Sequence, residues 1–183
     1  MSKRVLVLTA SPRKNGNTDK MADAFIRGAE QAGHSVTKFA AALKKIGGCT
    51  SCYTCWSTGG ACSVKDGFKE LEPLLENSDV VLIASPLYWF SFPGQIKNVI
   101  DRLVAYTGSD IPRPQSIKES YLFICGGDTN KEYYEPALGV YRGTAEFLGW
   151  TDRGILQTGG LDGEGAMEAS GVLEQAEEIG RNV

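Results

Sequence analysis

Three short stretches of this chain, residues 4–10, 79–84 and 121–125, are apolar at nearly every position. Strands wetted on one side alternate apolar and polar residues, so runs like these belong to strands covered on both faces. Two further strands fall at 35–40 and 152–157. Helical spacing of apolar residues occupies 18–32, ended by Gly33, then 67–77, 94–106, 133–148 and 171–181. On the second of these, Leu71, Leu74 and Leu75 share one face. Five strands alternating with five helices call for right-handed crossovers and a parallel sheet with helices on both sides. The expected fold class is therefore α/β, doubly wound, with ligands bound at the carboxyl ends of the strands where strand order reverses.

Composition narrows the partners. The 183 residues fit one domain, 1–183, long enough for a sizeable core. A net charge of −3 with no basic run argues against nucleic acid or an acidic membrane surface as partner. The charged start is followed by too short an apolar stretch for a signal peptide, and no segment has the length of a membrane helix. The expected compartment is the cytoplasm, where thiols stay reduced.

After the first strand the apolar run gives way to Ser11, Pro12, Arg13, Lys14, Asn15, Gly16, Asn17 and Thr18. Short hydroxyl and amide side chains, two cations and a glycine suit an anion at the start of the following helix, with Asn17 or Thr18 as its N-cap. A nucleoside-triphosphate loop would need G-x-x-x-x-G-K-[ST], yet no lysine precedes Thr18. A dinucleotide fold would need G-x-G-x-x-G at this turn, which has one glycine. What remains is a cradle for one terminal phosphate monoester.

The third strand runs into Pro86, Leu87, Tyr88, Trp89 and Phe90, with Phe92 and Pro93 behind them. Aromatic rings in a loop suit a flat apolar ligand stacked on them, or else a covered subunit interface. The fourth strand runs into Gly126, Gly127 and Asp128. That pair of glycines lets backbone approach a planar ring, although an ordinary turn would use the same residues.

A phosphate cradle, an aromatic wall and a close-approach backbone loop together describe a site for flavin mononucleotide (FMN). On SPRKNGNT and SPLYWFSFPGQIKNVIDR the chain resembles the flavodoxin-like NAD(P)H-dependent FMN reductase family, over residues 4–150. The family's S-P-x-Y-W/F…G-x-x-K-x-x-x-D-R run is met by Ser85, Pro86, Tyr88, Trp89, Gly94, Lys97, Asp101 and Arg102. The resemblance implies a flavodoxin-like five-stranded sheet of order 2-1-3-4-5, non-covalent FMN and a homodimer or homotetramer. It places Ser11, Arg13, Asn17 and Thr18 on the phosphate, with Asn15 in the same loop. Residues 86–90 would border the flavin ring, and Gly126, Gly127 and Asp128 would form the third side. The chemistry would be borne by the flavin, with no obligatory catalytic side chain. Electrons would pass from NAD(P)H, docked transiently on Trp89 and Phe90, to a small acceptor such as a quinone or free flavin.

Cys49, Cys52, Cys55 and Cys62 follow the second strand with C-x2-C-x2-C-x6-C spacing. Four thiolates on one glycine-bounded loop have the composition of an iron–sulfur site, whereas structural zinc draws C-x-x-C pairs from separated segments. A redox disulfide or free thiols remain open readings. The loop resembles the compact motif of iron–sulfur flavoproteins, which implies a [4Fe–4S] cluster and electrons from a ferredoxin. Most such relatives place a second acidic residue after Asp66, where this chain has Gly67. A flavodoxin-type carrier with no substrate of its own would be expected to be more acidic. Cys125 reads as a small core residue. His34, the only histidine, falls at the amino end of the second strand, so a hydrolase triad is rejected.

Overall fold

The computed structural model describes residues 1–108, 113–161, 163 and 165–183. Strands β1 (Arg4–Thr9), β2 (Ser35–Ala40), β3 (Val80–Pro86), β4 (Glu119–Gly126) and β5 (Thr151–Gly159) form one parallel sheet. Its order is β2-β1-β3-β4-β5, as expected. The reversal between β1 and β3 creates the switch point at which open α/β sheets bind ligands.

Alternation along each strand explains why the central runs are apolar throughout. Leu6, Leu8, Val81, Ile83, Leu122 and Ile124 point to one face. There they meet helices α3 (Phe68–Asn77), α4 (Gly94–Arg102) and α5 (Glu135–Leu148). Val5, Val7, Val80, Leu82, Tyr121 and Phe123 point to the other, against α1 (Asn17–Gln31) and α7 (Val172–Arg181). Each fully buried aliphatic side chain contributes about 1.5–3 kcal/mol, so two cores flank one sheet.

Four local features differ from expectation. The cap of α1 is Gly16, which carries no side chain, and Asn17 and Thr18 lie inside the helix. The helix expected over 94–106 stops at Arg102 and tightens into a 3-10 turn, Leu103–Tyr106. The one expected from 133 begins as a 3-10 turn, Lys131–Tyr134. Short helices α2 (Thr54–Thr58) and α6 (Ala166–Ala169) were not anticipated. In α2 the Thr58 hydroxyl donates to the Thr54 carbonyl at 2.7 Å. Among the described residues no helix is long and apolar enough to cross a membrane.

Candidate functional site

The loops leaving β1, β3 and β4 converge at the carboxyl edge of the sheet on a groove of about 470 Å³. Ser11, Arg13, Asn17, Thr18, Pro86, Leu87, Tyr88, Gly126 and Gly127 line it, as does Gly16. Ser11 Oγ accepts the Arg13 N–H at 3.1 Å, which folds the loop back on itself. Lys20 is the first residue of α1 to bond backward, its N–H reaching the Gly16 carbonyl at 3.0 Å. The N–H groups of Asn17, Thr18 and Asp19 therefore precede the helical ladder, and a glycine cap offers them no side-chain acceptor. With the positive end of the α1 dipole behind them, they suit an anion.

Asp19 stands in that same first turn, where its charge would oppose an anion. It is drawn away: Asp19 Oδ1 pairs with Lys38 on β2 at 2.7 Å, and its Oδ2 accepts the Asn15 N–H at 3.0 Å. That second bond holds Asn15 in the left-handed region, at φ 58°, outside the groove lining.

Trp89 and Phe90 also adopt left-handed backbone, at φ 47° and 62°. Aromatic residues pay about 1–3 kcal/mol for such geometry, and its persistence here marks a constrained tip. Tyr88 and Ser91 exchange backbone hydrogen bonds of 2.9 and 3.0 Å that close it. Trp89 is 91% exposed, and its ring meets Phe90 edge-on, as Phe90 meets Tyr133. The structure thus sets Trp89 and Phe90 on a projecting rim rather than in the groove lining, while Phe92 turns into the core. Asp128 likewise stays off the lining; its Oδ1 accepts the Asn130 N–H at 2.7 Å and shapes the turn.

Three lining residues escaped sequence reasoning. Cys125, next to last on β4, lines the groove as well as being buried. Leu161 and Gly163 come from the segment after β5, which Asn17 Nδ2 ties down by donating to the Leu161 carbonyl at 2.7 Å. The signal was the glycine-rich stretch at the carboxyl end of a fifth strand; its Asp162 and Glu164 lie outside the described residues.

The four-cysteine loop forms a second cavity of about 310 Å³, and Cys49, Cys52, Cys55 and Cys62 all line it. Among the described residues, no three metal-binding side chains converge as a single ion would need. Hydrogen bonds from Ser63 and Thr54 hold the Cys52 thiol down to about 6. Burial pushes the Cys55 thiol up. Iodoacetamide should consequently modify Cys52 first in the metal-free protein, with a rate that levels off above about pH 6. Peptide mass spectrometry across pH 5–9 checks this, and a rate still climbing at pH 8.5 would contradict it.

The sequence profile described as NADPH-dependent FMN reductase matches residues 3–124. An iron–sulfur flavoprotein of Archaeoglobus fulgidus is 42% identical over 99 residues, 54% of this chain and 44% of that protein. The match thus spans under half the length of that relative. A Bacillus subtilis protein, YwqN, named as an NAD(P)H-dependent FMN-containing oxidoreductase, is 24% identical over 166 residues, 88% of each chain. The solved structure of an NAD(P)H:quinone oxidoreductase from Methanothermobacter marburgensis shares the fold, with a TM-score of 0.72 at 19% identity over 100% of this chain and 97% of that one. With the profile running from β1 into β4, the chain belongs to the NADPH-dependent FMN reductase family.

Proposed function

We propose that the chain binds FMN in the groove at the β1–β3 switch point and passes electrons from NAD(P)H to a small acceptor. The observation that carries this is the uncapped start of α1 facing the groove that Pro86, Leu87, Tyr88, Gly126 and Gly127 complete. The residues present fit the group. Backbone donors at Asn17 and Thr18, with the Ser11 and Thr18 hydroxyls and the Arg13 guanidinium, match a phosphate monoester. The apolar sides of Pro86, Leu87 and Tyr88 and the bare backbone of Gly126 and Gly127 match a flat ring. Bound there, FMN would supply reversible hydride chemistry, and the protein would supply position and exclusion of water. Trp89 and Phe90, projecting beside the groove, would offer faces for a nicotinamide or an aromatic acceptor, and would pack against a second subunit in a homodimer or homotetramer. Purified protein is expected to take up FMN, and anaerobic NADPH or NADH to bleach the visible flavin band. A colourless protein that ignores added FMN would remove the assignment.

A second reading, an iron–sulfur flavoprotein served by a ferredoxin, is favoured by the cysteine cavity. The irons of a [4Fe–4S] cluster lie apart from one another, so its four thiolates stand farther apart than the ligands of one zinc ion. Four thiols around one cavity supply the number of ligands such a group would need. Iron and sulfide analysis after anaerobic purification separates the two readings.

A further inference from the structure

We infer that Arg102 is the positioning residue of the four-cysteine pocket. Its side chain is fully buried at the end of α4 and lines the same cavity as the four thiols. Nη1 grips both carboxylate oxygens of Asp66, at 2.7 and 2.8 Å. From there the guanidinium reaches the carbonyls of Gly47, at 3.4 Å, and Val64, at 3.3 Å. Gly47 precedes Cys49 by two residues, and Val64 follows Cys62 by two, so one side chain joins the two ends of the loop that carries all four thiols. Asp66 completes the neck by accepting the Gly47 N–H at 2.8 Å.

The arrangement costs more than a surface tie would. Among the described residues Arg102 Nε is buried with no hydrogen-bond partner, a penalty that a purely structural ion pair has no reason to keep. Arg102 Cζ lies over the Phe68 ring, 4.2 Å from its centroid, a cation–π contact. Gly67 belongs to the same device: a Cβ there would stand 3.1 Å from the Lys45 carbonyl and from the Lys44 side chain, where the two ends of the loop cross. The last cysteine is held separately, its N–H donating to buried Glu72 at 2.7 Å and its carbonyl accepting from Lys69. Cys62 is therefore fixed on both sides, whereas Cys49 and Cys52 are exposed.

The inference uses the iron–sulfur reading only for what the pocket holds; the arrangement of the thiols stands apart from it. The test compares wild type, Arg102→Lys and Asp66→Asn. Lysine keeps the charge but lacks the planar fork, and asparagine keeps the shape but loses the bidentate charged contact. Two readouts are taken: iodoacetamide labelling of each cysteine in the metal-free protein, and iron plus sulfide retained after anaerobic reconstitution with ferrous iron and sulfide. FMN uptake is the control for folding. Both variants are expected to label Cys55, the buried thiol of the pocket, about tenfold faster, and to retain less than about half the iron, with FMN uptake unchanged. The double variant should do no worse than either single one, because both act through the same neck. If wild type retains no iron while both variants expose Cys55, positioning by Arg102 holds and the iron–sulfur reading falls. Unchanged Cys55 labelling in both variants overturns the inference. Should Arg102→Lys fail to take up FMN, Asp66→Asn, which keeps the side-chain volume, decides by the same labelling.

Discussion

Ser11→Asp is expected to abolish FMN uptake while leaving the fold intact. Ser11 lines the groove, and its Oγ already accepts the Arg13 N–H at 3.1 Å. An aspartate carboxylate makes the same local turn, so the loop keeps its shape. What changes is charge: a carboxylate would stand where the phosphate is proposed to sit. Two like charges about 4 Å apart at an effective dielectric near 20 repel by about 4 kcal/mol, roughly a thousandfold in affinity. Ser11→Ala removes one hydroxyl and should cost only about tenfold. Quenching of FMN fluorescence measures both, and thermal melting of the apo-proteins should stay within about 2 °C of wild type. A Ser11→Asp protein that binds FMN as tightly as wild type would show that the phosphate lies elsewhere, whatever the family.

The sheet was legible because its signals are local. Continuous apolar runs mark strands with two covered faces, and β2 was placed at its observed bounds, Ser35–Ala40. The groove was largely legible for a related reason: three of its walls are the loops that follow β1, β3 and β4, and a doubly wound sheet brings such loops together. What sequence could not give was direction. Trp89 and Phe90 belong to the right loop, but the Tyr88–Ser91 closure turns their rings outward onto the rim, a tertiary outcome with no periodic signature. The cap of α1 was missed because Asn17 and Thr18 are good N-caps by propensity. Gly16 takes the position instead, which leaves the first N–H groups of the helix without a side-chain cap. The neck at Arg102 joins residues more than 30 positions apart and is invisible to any local pattern.

Gly28→Val should unfold the protein well below the wild-type temperature, although the site lies in a helix, where glycine is ordinarily a liability. A Cβ on Gly28 would stand 2.0 Å from the Glu177 carbonyl oxygen and 2.9 Å from the Arg181 nitrogen. The contact is reciprocal, for a Cβ on Gly180 would stand 2.2 Å from the Phe25 carbonyl oxygen. Helices α1 and α7 therefore touch backbone to backbone, and neither side can yield by turning a side chain. Separating them would pull Val172 and Ala176 from the core they share with Met21 and Phe25. Overpacking of this kind costs about 3 kcal/mol, enough to lower Tm by about 6–12 °C in a chain of this size. Gly139 in α5 is the matched contrast, since a Cβ there meets nothing within 4 Å. Gly139→Ala should accordingly gain up to about 1 kcal/mol from helix propensity alone. Calorimetry of both variants separates backbone contact from intrinsic propensity. Equal Tm values for Gly28→Val and wild type would mean that α7 is not seated on α1.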